Sequence, residues 1–277
     1  MRLDVVLPNE GKFAEAAVRA APQFEDMGFE GLWLTDHVIG LEAYKPVYGD
    51  EWLEIITTLG FLAASTRKIR LGTGVLVAPY RDPVLQAKML ATVDILSGGR
   101  LDVGVGTGWA RREFNALGRA DAFEPRGKVT DDMLEVFIQL CRGGEHSFEY
   151  EWSKASKIRF EPPVKQTPHP PLWIGARGLG KAPLRRAAKY ADFWHPTGVS
   201  PDELREGGEQ LDAMAGRKVP RSIRMQSHDP AALPDLLRRY EDAGCVQAAI
   251  DFKAESLDDL RRRSEALMNA VAAGKVA

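Results

Sequence analysis

Apolar positions along the chain alternate between two patterns: short unbroken runs, and longer stretches spaced every three or four residues. The first run, LDVVLP (3–8), precedes KFAEAAVRAAPQFEDMG, in which Phe13, Ala16, Ala17, Ala20, Phe24 and Met27 share one helical face. That order predicts a strand and then a helix. GLWLTDH (31–37) is a second strand, and its helix is expected to begin near Asp50 as N-cap and to run through WLEIITTLGFLAAST. IRLGTGVLV (69–77) is the third, after which Asp82 caps and Pro83 opens PVLQAKMLATVDILS, proline being preorganised for a first helical position. RLDVGVG is the fourth, with a helix around VTDDMLEVFIQLCRG (129–143) after a loop.

The rhythm then breaks. Residues 144–170 combine alternating apolar positions with a proline-rich end, which predicts an inserted hairpin or excursion between the fourth helix and the fifth strand. After it PLWIG (171–175) precedes a helix ending near Tyr190, and DFWHPTG (192–198) precedes a helix opened by Ser200, Pro201 and Glu203 as a capping box. RSIRMQS (221–227) and VQAAIDF (246–252), each followed by an amphipathic stretch, bring the total to eight strand-helix units. Alternating strands and helices imply parallel pairing, and eight units over this length fit a closed (β/α)8 TIM barrel, a single α/β domain over 1–277, better than an open sheet.

Composition narrows the function classes. At 277 residues, 44% hydrophobic and 27% charged, the chain reads as an ordinary globular one, which excludes disordered and fibrous classes. A net charge of -2 offers no global field for nucleic acid. No apolar run is long enough for a membrane span, and a cytoplasmic protein is expected. Cys141 and Cys245 stand far apart without ligand spacing, so neither a metal site nor a disulfide is expected and both read as buried small hydrophobes.

A barrel of this kind carries its chemistry at the C-terminal strand ends. The residues there are Pro8, Asn9 and Glu10; Asp36 and His37; Thr73, Gly74 and Val75; Thr107, Gly108 and Trp109; Ala176 to Gly180; His195; Gln226 to His228; and Phe252. Within LSGGRLDVGVGTGW, Gly104, Gly106 and Gly108 leave a bare strand, readable as a bulge or bend, or as space for something flat or phosphorylated against the main chain. GARGLGKA (175–182) matches a P-loop except that Ala182 stands where a magnesium-holding Ser or Thr is needed. What survives is a glycine turn entering a helix N-terminus beside Arg177 and Lys181, a candidate phosphate cradle.

GFEGLWLTDHV, the long run TRKIRLGTGVLVAPYRDPVLQAKMLATVDILSGGRLDVGVGTGWARREFNALG, and PPLWIGARG with RRAAKYADFW resemble the luciferase-like monooxygenase superfamily, most of all its branch that uses the deazaflavin coenzyme F420. The resemblance implies a flavin-like ring in the barrel mouth over Gly106, Thr107 and Gly108, with the backbone of Thr73, Gly74 and Val75 at its edge. A non-proline cis peptide is implied at Gly74-Val75. It also implies a phosphate grip at Ala176, Arg177, Gly178, Leu179 and Gly180, assisted by His195. His37 is implied as the acid or base, with Asp36 orienting it; Asn9 and Trp109 at the strand ends, and Glu113 in the loop beyond, are the candidate substrate contacts. Trp109 replaces a glutamate of sugar-phosphate-oxidising relatives, so glucose 6-phosphate oxidation is not expected.

The expected reaction is hydride transfer between the deazaflavin and a small organic substrate. An FMN-dependent monooxygenase on the same scaffold is the alternative, and a non-catalytic flavin-binding barrel is the third reading. Arg81, Arg111, Arg112, Arg177 and Lys181 lean towards the longer anionic tail of F420. Relatives commonly form homodimers through the helices beside strands two and three, and the same is expected here.

Overall fold

Eight parallel strands close on themselves in a computed structural model that describes residues 1–40 and 51–274. In chain order the strands are β1 (Arg2–Val6), β2 (Gly31–Leu34), β3 (Arg70–Thr73), the two-residue β4 (Leu76–Val77), β5 (Leu101–Gly106), β6 (Gly144–Tyr150), β7 (Ser153–Phe160), β8 (Leu172–Arg177), β9 (Phe193–Thr197), β10 (Arg221–Gln226) and β11 (Cys245–Asp251). Around the barrel the order is β1, β2, β3, β5, β8, β9, β10, β11 and back to β1. Helices separate successive barrel strands, as a parallel sheet requires. β6 and β7 form the inserted antiparallel hairpin outside the barrel.

Local sequence accounts for most boundaries. Asp82 accepts the Leu85 N–H and Pro83 opens the helix Pro83–Leu96, while Ser200 and Glu203 complete the capping box of Pro201–Ala215. The first helix departs from expectation. It is two pieces, Ala14–Arg19 and Ala21–Asp26, because Pro22 has no N–H to continue the ladder. The second also differs: Asp50 lies outside the described residues, and the helix begins at Ile55, with the Glu54 side chain accepting the Thr57 N–H as its cap. The fifth strand runs on to Arg177, which shortens the expected glycine turn.

The N-terminal end of the lumen is plugged by charge. Arg2 binds Asp4 at 2.6 Å and Asp102 at 3.0 Å, and Arg70 binds the other oxygen of Asp102 at 2.6 Å. Above them Trp33 donates to Asp4 at 2.7 Å and packs edge-on against Trp173. These contacts rigidify the lower barrel and leave the opposite rim for chemistry. Both cysteines are buried, and no helix among the described residues is long and apolar enough to cross a membrane.

Candidate active site at the barrel mouth

His37 stands three residues beyond the end of β2, and its Nδ1 lies 2.7 Å from Oε2 of Glu113. Glu113 belongs to the short helix Arg111–Ala116 in the loop after β5; its neighbour Phe114 is fully buried and packs edge-on against Tyr80 and Phe123. That anchoring turns the Glu113 carboxylate inward, where it is also fully buried. It accepts the Val38 N–H at 2.7 Å and the Tyr80 hydroxyl at 2.8 Å. Burial opposes the charged form, but hydrogen bonds from His37, Val38 and Tyr80 outweigh it and hold the carboxyl below the usual glutamate range. Burial and the adjacent Glu113 charge push the Tyr80 phenol up, so it remains a donor.

An ionised acceptor behind the imidazole fixes the tautomer. Nδ1 carries the proton that Glu113 receives, and Nε2 is the nitrogen left to take or give one. The ring sits 4.5 Å from Trp52 and 5.6 Å from Trp109, centroid to centroid, so aromatic walls flank it. Trp109 is half exposed.

Asp36 does not orient the imidazole. Its carboxylate is buried and taken up by Arg81, at 2.7 and 2.8 Å, and by the Val77 N–H at 2.9 Å. Glu113, expected as a substrate contact, holds His37 in its place. Asn9 is likewise consumed: its amide nitrogen donates to the Thr35 and Leu53 carbonyls, and its oxygen accepts from the Thr35 N–H and hydroxyl. It fastens the end of β1 to that of β2 and has no side-chain atom to spare for a substrate. Thr73 is buried too, its hydroxyl donating to the Gly104 carbonyl at 2.7 Å.

The bare strand that passes Gly104 and Gly106 is explained by the protein's own side chains. Gly72 pairs with Asp102 and Leu76 with Val105, so the third strand spends four steps where β5 spends three. The extra residue makes a bulge, with the Gly74-Val75 peptide cis. A Cβ on Gly104 would stand 1.9 Å from the Thr73 carbonyl oxygen, and on Gly106 2.5 Å from a Val75 methyl. Gly175, on β8, faces the other Val75 methyl at 2.4 Å. The expectation that the missing side chains clear space for a ring lying directly on this strand is therefore corrected. They clear space for the bulge, and Val75 stands between the glycines and the mouth. Gly108 has a φ of +75° and lies against Val77 and Phe114, and Thr107 beside it is part-buried on the rim.

The glycine turn is at the same rim. Ala176 and Arg177 end β8, Gly178 donates its N–H to the Thr197 carbonyl, and Gly180 caps the helix Lys181–Tyr190 with no side chain to occupy the first-turn amides. Gly178 has a φ of +68° and open space where a Cβ would project. Leu179 turns away, against the helix Pro201–Ala215 at Gly207. His195 does not assist this turn. It is fully buried inside the barrel, stacked 4.7 Å from Trp33, with Nδ1 2.8 Å from the Ser222 hydroxyl. Burial first, then the charges of Arg224 and Arg2, push its pKa down to about 3, so it is neutral near pH 7.

Tyr80, Trp52 and Arg224 were absent from the expected set. Only Tyr80 left a trace in the sequence, since it sits in the loop after a barrel strand where function concentrates. Among the basic residues, Arg81 is bound to Asp36 and Glu54, and Arg111 pairs with Glu124 while lying over Phe123.

The sequence and the fold both have recognisable relatives. Residues 1–250 match the family described as luciferase-like monooxygenase. The chain belongs to that family. It is 30% identical over 273 residues to an uncharacterised protein of Mycobacterium tuberculosis (strain H37Rv), covering 91% of each chain. In fold it is similar to an F420-dependent secondary alcohol dehydrogenase solved with an F420-acetone adduct, at a TM-score of 0.81 and 16% identity over 98% of both chains. It is equally similar to the FMN-bound oxygenating component of 3,6-diketocamphane monooxygenase from Pseudomonas putida, at a TM-score of 0.80 and 11% identity over 100% of this chain and 99% of that one. At such identities these two are likenesses of fold.

Proposed function

We propose that this protein is an oxidoreductase that moves a hydride between coenzyme F420 and a small organic substrate at the barrel mouth, with His37 handling the accompanying proton. The observation that carries this reading is the buried, ionised Glu113 behind His37, which leaves Nε2 to exchange a proton with a substrate hydroxyl or carbonyl oxygen. Trp52 and Trp109 beside the imidazole suit a substrate whose reacting carbon is carried on an apolar body.

When bound, the coenzyme supplies the two-electron chemistry that no side chain here can. The residues present fit such a group. Val75 offers an apolar face above the glycines, with the main chain of Gly74 beside it and Gly106, Thr107 and Gly108 along the rim. The open turn at Ala176, Arg177, Gly178 and Gly180, uncapped by any side chain and followed by Lys181, suits an anionic phosphate.

A second reading, an FMN-dependent monooxygenase, is favoured by one observation. Arg81 and Arg111, two of the five basic residues that suggested a longer anionic tail, are engaged with carboxylates. The deciding experiment is parallel titration of the purified protein with oxidised F420, FMN and NADPH, followed by fluorescence or absorbance. Selective saturation by F420 supports the first reading, selective saturation by FMN replaces it with the second, and saturation by neither flavin-type ring overturns both. The exposed Phe61, Leu85 and Leu96, on the helices Ile55–Ser65 and Pro83–Leu96, support pairing of two copies through that side.

A further inference from the structure

Four charged side chains share the mouth with His37: Glu10, Arg224, Asp251 and Lys253. Arg224 is on β10, and around the barrel β10 stands four strands from β3 in either direction, so the two face each other across the lumen. The Arg224 guanidinium nonetheless donates to the carbonyl of Gly74, at the end of β3. The side chain therefore crosses the barrel. It carries its charge over the axis, at the level of the bulge and directly below the mouth. Its side chain is about a quarter exposed, with Nη2 4.0 Å from Asp251, and Asp251 is itself held at 2.7 Å by Lys253. Below it His195 is kept neutral, in part by Arg224 itself. The positive charge at the centre of the floor is thus that of Arg224.

We propose that Arg224 is a charge-positioning residue that favours the reduced over the oxidised form of the cofactor, by holding a fixed cation directly below the mouth where a bound ring would sit. This rests on the proposed function. Hydride transfer from a substrate carbinol moves one proton and two electrons, with the hydroxyl proton going to His37 Nε2. The substrate is oxidised to a carbonyl, the hydride acceptor is reduced, and the acceptor becomes one unit more negative. A cation held in a partly desolvated floor by a hydrogen bond to main chain stabilises that added charge without having to reorganise. Asp251 does not cancel it, because Lys253 offsets that carboxylate, and burial and the Asp251 charge push the Glu10 carboxyl up, which disfavours its charged form.

The test uses the full-length protein and two probes, F420 and FMN, each titrated anaerobically in its oxidised and its reduced form, with the midpoint potential of the bound ring measured as well. In the unaltered protein the reduced form of the accepted ring should bind at least about tenfold tighter than the oxidised form, with the midpoint raised on binding. Arg224→Gln, which keeps a donor for the Gly74 carbonyl but removes the charge, should erase most of that preference and leave oxidised binding within about threefold, while Arg224→Lys should keep it. Equal binding of both forms to the unaltered protein, or an undiminished preference in Arg224→Gln, would overturn this inference alone. Failure of both rings to bind the unaltered protein would overturn the proposed function and this inference with it.

Discussion

Nδ1 of His37 and Oε2 of Glu113 stand 2.7 Å apart, and the residue after the histidine, Val38, gives its N–H to the other oxygen of the same carboxylate. One acid group thus fixes the ring and the main chain that carries it. Glu113→Gln would put an amide among three donors, His37, Val38 and Tyr80, and could accept from them with only one oxygen. Turnover should fall by about a hundredfold or more, by analogy with loss of the carboxylate behind a catalytic histidine. Cofactor affinity should stay within about threefold, because Glu113 contributes no atom to the proposed ring or phosphate contacts. His37→Ala should give the same split. Steady-state kinetics beside a binding titration check it, and unchanged turnover in either variant would remove His37 from the chemistry.

Tyr80→Phe tests the third donor on the same carboxylate. The phenol donates to the oxygen that also faces His37, so deleting it removes one of the donors that hold Glu113 ionised and moves that carboxyl back towards the ordinary glutamate range. Turnover should fall by roughly tenfold while cofactor affinity stays within about threefold, because the lost hydrogen bond acts on Glu113 and not on the proposed cofactor contacts. Unchanged turnover in steady-state kinetics would mean that Tyr80 only packs the loop.

Val75 and its two glycines give a prediction about packing. Gly106→Ala or Gly175→Ala would drive a Cβ into a Val75 methyl and should each cost about 1–3 kcal/mol. Val75→Ala removes both methyls, so the combination Val75→Ala with Gly106→Ala should be less destabilised than the sum of the two single changes by about 1 kcal/mol. Gly104→Ala should gain no such relief, because its clash is with the Thr73 carbonyl, which is main chain. Urea unfolding of the single and double variants gives the coupling directly, and strict additivity would show that Val75 does not fill the space.

The strand-helix rhythm was legible because most barrel strands are apolar runs with a cap or turn signal after them, and reading the residues after each strand placed His37 at the barrel mouth, where it lies. What the sequence could not carry was the direction of side chains set by distant packing. Glu113 faces inward only because Phe114 docks on Tyr80 and Phe123, residues brought near by the loops after two neighbouring strands. The bulge that consumes the space over Gly104 and Gly106 depends on register between β3, β4 and β5, which no local pattern encodes. His195 was misplaced for a simpler reason. It is the middle residue of β9, and alternation along the strand sends it into the lumen while Trp194 packs in the outer core.

That interior position gives His195 a measurable effect on stability. An exposed histidine in the unfolded chain takes up a proton below about pH 6.5. In the folded barrel His195 does not do so until about pH 3. Between those values the unfolded state binds more protons than the folded state, so stability must rise with pH across the window and fall as the solution is acidified. From pH 7 to pH 5 this one group should remove about 2 kcal/mol. His195→Gln keeps an uncharged polar side chain near Ser222 and cannot titrate. It should start less stable, because the stack on Trp33 is lost, yet lose about 2 kcal/mol less over the same interval. The comparison is of slopes, from urea midpoints at several pH values, so the fixed cost of the substitution drops out. Parallel slopes in the two proteins would mean that the imidazole already shares a proton inside the barrel, and the neutral stack between Trp33 and Ser222 would have to be abandoned.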